Sequence, residues 1–309
     1  MIEVILCTYN GEKFIEKQLD SIRCQTRVPD KVNIYDDIST DNTVKIVNDY
    51  IAKYNLSDCW NVCINVQNKG WRKNFYDAII ASLGDIIFFS DQDDIWELDK
   101  IEVMSDAMLS NEEILKLNSY FYYIDENDNR IFSKKNINMK CNNSKIIEKE
   151  KFLDKFCGKW NHRLACSSAI SGKLRDLLTG IPYSFSFSHD WLLENIAGAL
   201  DGSYVIDYCS IKHRLHKSNA SKNAAHNLAF YVEYANYISK IFNEFLINIE
   251  PKYMDALDKF VSFTQMRIKV NSKIAPFTWL KLSFYLKYYV NGIKGLGGDL
   301  LRMLHLKNK

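Results

Sequence analysis

Short apolar runs alternate with amphipathic stretches along the first third of the chain. The runs "IEVILCT" (2–8), "KVNIYD" (31–36), "WNVCINV" (60–66) and "DIIFFS" (85–90) are rich in β-branched and aromatic residues and read as strands. Between the first two, "EKFIEKQLDSI" (12–22) places Phe14, Ile15, Gln18, Leu19 and Ile22 at helical spacing. "STDNTVKIVNDYIAKY" (39–54) predicts a second helix with Ser39 or Thr40 as its N-cap. "KNFYDAIIASL" (73–83) predicts a third, ending at Gly84 as C-cap, and "ELDKIEVMSDAML" (97–109) a fourth.

Such alternation implies right-handed crossovers and an α/β fold with a mostly parallel sheet. Ligands of these sheets bind beyond the carboxyl ends of the strands. Four polar loops follow the four strands: "TYNG" (8–11), "DDISTDN" (36–42), "QNKGWRKN" (67–74) and "SDQDD" (90–94). They are expected to converge on one edge. Later the pattern is less regular. "NSYFYYIDENDNRIF" (118–132) reads as a hairpin, "LACSSAISGKL" (164–174) as a strand entering a helix, and "HDWLLENIAGAL" (189–200) as a helix. "SYVIDYCSIKHR" (203–214) is a strand running into the polar loop "LHKSNASKNAAH", and from about residue 227 two helices parted near Pro251 are expected.

The loop chemistry sharpens this. Asp91, Asp93 and Asp94 crowd a strand end, where like charges repel and desolvation is costly. A hard divalent cation, Mn2+ or Mg2+, takes such oxygens and leaves other positions to water or phosphate. The blander reading is that Asp93 or Asp94 caps a helix around "IWELDK". Asp36, Asp37 and Asp41 form a second acidic group, of which Asp37 suits a nucleobase or ribose and Asp41 a helix cap. Arg72 offers a cation to a diphosphate, while Lys73 reads better as a solvated helix start.

Composition excludes more than it selects. A net charge of +2 argues against a dedicated nucleic-acid binder. The start shows no basic leader, so no signal peptide is expected, and no apolar run approaches the ~20 residues of a membrane span. The eight cysteines lack metal-site spacing, Cys59 and Cys63 included, and are expected as free thiols in a reducing cytosol.

The segments "ILCTYNGEKFIEKQLDSIRCQT", "IYDDISTDNT", "NKGWRKNFYDAI" and "FFSDQDDIW" resemble, in order and spacing, the motifs of family 2 glycosyltransferases with the GT-A fold. "HDWLL" and "HRLHKSN" resemble the later motifs of bacterial polysaccharide, rhamnosyltransferase-like members. The resemblance implies inverting transfer from a UDP- or dTDP-sugar to a lipid-linked saccharide acceptor, as in O-antigen or capsule synthesis. It implies Thr8, Tyr9, Asn10, Asp37, Asn68, Arg72, Asp91 and Asp94 at the nucleotide and Asp93 at the metal. Asp190 falls at the position of the catalytic base, and Arg214 and His216 near the diphosphate. By itself, Asp190 reads as a helix N-cap and His216 as a loop histidine. Two departures stand out: Ile38 replaces the usual glycine after the second-strand Asp pair, and Leu98-Asp99 replaces a proline after the metal motif.

The expected organisation is a GT-A domain over 1–222, with a nucleotide-binding half (1–100) and an acceptor-binding half (101–222), then a helical region over 223–309. The apolar, basic C-terminal tail suits either an anionic membrane surface or packing against this chain or a second subunit in a homo-oligomer. A cytoplasmic enzyme, peripheral on the inner face of the membrane, follows as the expectation. A nucleotidyltransferase, or a non-catalytic protein that binds sugar nucleotide, are the rivals; the Gly-rich phosphate loop usual in the first is missing from the sequence.

Overall fold

A computed structural model describes residues 1–132, 141–150, 164–184, 186–217, 219, 228–246, 249–272, 275–288 and 293–307. Most of the loop "LHKSNASKNAAH" and Cys157 lie outside the described residues. The chain divides into two compact units. The first holds Met1–Glu150, Arg163–Ala197 and Asp201–Asn219; the second is chiefly Ala220–Lys309.

In the first unit the expected alternation is realised. Strand β1 (Ile2–Thr8) is buried on both faces, as an interior parallel strand must be, and α1 (Ile15–Arg23) follows it. Then come β2 (Lys31–Asp36), α2 (Thr43–Lys53), β3 (Trp60–Ile64), α3 (Trp71–Ala81) and β4 (Ile86–Ser90). The order β3-β2-β1-β4 is parallel throughout, with Thr8 opposite Asp36 and Leu6 opposite Ser90. All four loops therefore leave one edge.

Beyond β4 the pairing is mixed. Strand β5 (Ile95–Trp96) and helix α4 (Lys100–Ser110) precede β6 (Lys116–Ile124), β7 (Ile147–Lys149), β8 (Ser168–Ser171), α5 (Gly172–Leu178), α6 (His189–Ala199) and β9 (Ser203–Arg214). Strand β8 pairs antiparallel with both β4 and β6, and β9 runs parallel to β6. Two reversals restore the direction, so β6 and β9 end on the same edge as β4. The expected hairpin appears as a tight turn at Asp125–Asn129 closed by a bridge from Ile124 to Arg130. Strand β5 pairs with β9, Ile95 against Lys212 and Trp96 against Ile211, where the blander reading had a helix begin. Asp93 and Asp94 therefore do not cap a helix.

Two expected caps are corrected. Helix α2 starts after Asn42, and Asp41 Oδ1 accepts from the Thr43 N–H at 2.9 Å; Ser39 and Thr40 bond elsewhere. Helix α3 ends at Ala81, so Gly84 is not its cap. Gly84 instead lies where a Cβ would meet Glu3 Cβ at 2.8 Å, and its N–H donates to the buried Glu3 carboxylate.

The second unit is helical where described: α7 (Leu228–Glu244), α8 (Pro251–Ser272), α9 (Pro276–Leu282), a 3-10 segment (Ser283–Tyr288) and α10 (Ile293–Lys307). Tyr234, Ile238, Leu257, Phe263 and Leu282 are buried in it.

Candidate functional site

The edge is built first from loops that hold one another. Asn10 takes φ 49, its N–H donates to Ser39 Oγ at 2.9 Å, and its Oδ1 accepts from the Thr40 N–H at 2.8 Å. Gln92 clasps the Tyr9 peptide, accepting from its N–H at 2.8 Å and donating to its carbonyl at 2.9 Å. Gly11 is needed beneath that clasp, because a Cβ there would sit 2.3 Å from Gln92 Oε1. Tyr9 itself is 48% exposed at the mouth.

Of the Asp36–Asp37 pair, Asp36 is structural. Its carboxylate accepts from Thr8 Oγ1 at 2.8 Å and from Ser39 N–H and Oγ. The Thr8 hydroxyl, expected at the nucleotide, is thus committed to Asp36. Asp37 accepts from Asn65 Nδ2 at 2.9 Å and from the Lys69 and Gly70 N–H groups, each at 2.8 Å. Asn68 donates to the Asp37 carbonyl. Arg72 lies 4.4 Å over the Trp71 ring, and its buried Nε has no partner among the described residues.

Between them, Ile38 adopts φ 61, in the left-handed region that strains a β-branched side chain. That accounts for glycine's place in the resembled motif. Relief of this strain, set against glycine's extra chain entropy, makes Ile38→Gly more stable by up to about 1 kcal/mol. Urea denaturation checks it; a lower midpoint at unchanged slope would refute the strain.

The acids after β4 divide by depth. Asp94 is fully buried, and its Oδ1 accepts from the Arg214 N–H at 3.0 Å and bonds His213 Nδ1 at 2.8 Å. Burial pulls the His213 imidazole down, but the charge and hydrogen bond of Asp94, with Asp91 and Asp93 behind, outweigh it and raise it to about 9. Lys100, also fully buried, donates to the Cys166 carbonyl at 2.6 Å and lies 3.6 Å over the Trp96 ring. Burial lowers Lys100 to about 7. In the amide orientation that satisfies its neighbours, buried Gln18 donates to the Asp94 carbonyl and accepts from Ser90 Oγ and Trp96 Nε1.

Asp93 lies shallower. Its Oδ2 meets His216 Nε2 at 2.6 Å, and the His216 ring packs 5.0 Å from Phe14. The 213–219 segment is held by Asn219, which accepts from the His216 N–H and donates to the Arg214 carbonyl. Arg214 keeps one buried nitrogen, Nη2, without a partner among the described residues. It is fully buried, donating from Nε to the Asp93 carbonyl at 2.8 Å and from Nη1 to the Asp125 carbonyl at 2.9 Å, and pairing with Asp128.

Two metal-binding arrangements can be compared. Asp94, Cys166 and His213 lie mutually within 4.8 Å and are all buried, with Asp94 already bonded to His213 and burial pushing the Cys166 thiol up, away from the thiolate a metal needs. Asp93 offers a carboxylate oxygen of the kind Mg2+ and Mn2+ take, with the His216 imidazole beside it. Beside it, burial and then the charges of Asp94 and Asp93 raise the Asp91 carboxyl to about 7. Asp91 and Asp93 thus place two carboxylates at one strand end, oxygen donors of the kind a hard divalent cation takes.

Asp190 opens α6. Its Oδ1 accepts from the Ser188 hydroxyl and from the Trp191 N–H. Burial raises its carboxyl to about 6, against the pull of Lys116. The preceding His189 stacks on Phe75 at 4.7 Å and lies 6.1 Å from Phe89, which ties the start of α6 to α3 and β4. Behind it, Lys116 joins Glu194 and Asn118, and Glu194 accepts from Ser203 Oγ.

The residues that sequence reasoning missed are Gln18, Gln92, Lys100, Lys116 and His213. Gln92 and His213 lay inside quoted motifs. Gln18 was a long polar residue among the apolar positions 14, 15, 19 and 22 of α1's buried face, a usable signal.

The Glycosyl transferase family 2 model matches residues 3–173. Over 111 residues the chain is 41% identical to the dTDP-rhamnosyl transferase RfbG of Shigella flexneri, covering 34% of this chain and 37% of that protein. It is 28% identical over 232 residues to the UDP-Glc:alpha-D-GlcNAc-diphosphoundecaprenol beta-1,3-glucosyltransferase WfgD of Escherichia coli, covering 72% and 80%. The S. aureus TarS 1-349 structure in complex with UDP superposes with TM-score 0.60 at 17% identity, over 93% of this chain and 79% of that one. That likeness concerns the fold alone. The match to RfbG thus spans little more than a third of that relative's length. With the family model spanning more than half of its residues and the GT-A-like sheet beneath the site, the chain belongs to glycosyl transferase family 2.

Proposed function

We propose that the chain is an inverting, metal-dependent glycosyltransferase of bacterial surface polysaccharide synthesis. It moves a sugar from a UDP- or dTDP-sugar to a lipid-linked saccharide at the inner face of the cytoplasmic membrane. The observation that carries this reading is the meeting of Asp93 and His216 across the sheet edge, two positions along from Asp91. The names of RfbG and WfgD support the donor class, and that of WfgD the lipid-linked acceptor.

In this reading Tyr9, Asp37 and Arg72 receive the nucleoside, and Asn10 and Asn68 shape its loops. Asp93 and His216 would hold the metal, which would supply charge neutralisation for the leaving diphosphate. Asp190 takes the proton of the acceptor hydroxyl. The hydroxyl oxygen bonds the anomeric carbon on the face opposite the diphosphate, whose bond to that carbon breaks. Arg214 acts from behind, fixing the Asp93 loop.

A donor-hydrolysis panel of UDP- and dTDP-sugars, with and without Mn2+, tests the proposal. One donor class is expected to turn over only with metal. Asp93→Ala should weaken metal-dependent donor binding at least about tenfold, the loss typical of a disturbed ligand shell. No turnover with any donor, or donor binding by the variant equal to wild type with Mn2+, would count against it.

A further inference from the structure

The second unit carries an apolar stripe that its own packing does not use. Along α9 and the 3-10 segment, Phe277, Leu280 and Phe284 are 82%, 57% and 84% exposed. Phe277 and Leu280, three residues apart, share a face of α9, and Phe284 follows them at the start of the 3-10 segment. The opposite face is anchored: Leu282 is fully buried, Trp279 Nε1 donates to the Leu296 carbonyl at 3.0 Å, and the Tyr285 ring stacks on Phe263 at 6.3 Å. The stripe is therefore held in place, and Lys281 is exposed within it. Single exposed apolar residues are ordinary, but three on one anchored stripe call for a partner.

Charge says which partner. Residues 276–309 contain Lys281, Lys287, Lys294, Arg302, Lys307 and Lys309 against one acid, Asp299. That acid is fully buried, with Arg267 donating to both its oxygens at 2.7 and 3.1 Å and Arg302 adding a third bond at 2.8 Å. With its only carboxylate withdrawn, the segment's described exposed face carries Phe277, Leu280, Lys281 and Phe284 and no acid. Among the described residues no helix is long and apolar enough to cross a membrane. Aromatic and aliphatic side chains beside cations suit the headgroup boundary of an anionic bilayer.

We infer that Phe277, Leu280, Lys281 and Phe284 form a docking surface for an anionic lipid bilayer. This does not rest on the transferase reading, since binding is measured without nucleotide. The full chain is mixed with sucrose-loaded vesicles of phosphatidylcholine, with or without phosphatidylglycerol, and sedimented. Wild type is expected to partition onto the anionic vesicles and to be released by salt. The F277S/F284S double variant should lose about tenfold or more of that partition, given the apolar area each ring buries. Lys281→Glu should lose severalfold, and Leu83→Ser, an equally exposed site in the first unit, should lose nothing. Circular dichroism confirms that each variant is folded, and donor binding should be unchanged in all three. Three results would overturn the inference: no sedimentation of wild type with anionic vesicles, equal binding by F277S/F284S, or equal loss in Leu83→Ser. A dimer in solution that F277S/F284S dissolves, without vesicle binding, would assign the stripe to a second copy instead.

Discussion

Asp190→Asn is expected to lower sugar transfer by about 10²–10⁴-fold while UDP binding stays at the wild-type level. The amide keeps an acceptor for the Ser188 hydroxyl and the Trp191 N–H, so the start of α6 should hold its shape. It lacks only the capacity to take a proton. In the wild type the base works ionised, and burial sets its carboxyl at about 6, so the rate should rise with pH through about 6 and then level off. The same shift predicts a gain in stability for the variant. The folded carboxyl titrates above its ordinary 3.8, so folding disfavours the anion. That penalty is absent at low pH and complete once pH passes about 6. Asn removes it, for a gain of about 1–2 kcal/mol near neutrality. Single-turnover rates, UDP calorimetry and denaturation at two pH values check the three parts. Wild-type turnover, or a rate flat across the acid limb, would refute the base.

What the sequence made legible follows from locality. Alternating strands and helices disclose β1 to β4, and with them the shared edge, because each element depends on its own periodicity. Phe14, Ile15, Gln18, Leu19 and Ile22, placed together by spacing alone, are all buried. Sequence did not disclose how the acids are compensated, because the partners lie far along the chain. His213 is 119 positions from Asp94 and His216 is 123 from Asp93. They meet because β8 reverses direction twice over, between β4 and β6, and no local pattern encodes that. Lys100 shows the same limit. Nothing in its own segment marks it, yet its side chain is fully buried with the nitrogen 3.6 Å over the Trp96 ring. The acids after β4 thus find their partners more than a hundred positions away, Asp94 at His213 and Asp93 at His216.

Arg214→Ala should be among the most destabilising single changes at this edge, at about 3–5 kcal/mol. Its side chain makes charge-assisted bonds to two carbonyls, each worth about 1.5–3 kcal/mol, and it packs 4.7 Å over Phe14. Those bonds tie the Asp93 loop to the Asp125–Asn129 turn, which Lys17 and Arg214 also hold through Asp128. The consequence for function is indirect. Without the guanidinium, Asp93 and His216 lose their common frame, so donor affinity should fall together with stability. Arg214→Lys keeps the charge but cannot reach both carbonyls in a planar fork, so it should recover less than half of the loss. A direct diphosphate contact makes the opposite demand: UDP affinity would fall in Arg214→Lys while the unfolding midpoint stayed at the wild-type value. Denaturation and UDP titration on the same two variants separate these outcomes, because a clamp moves both readouts and a ligand contact moves one.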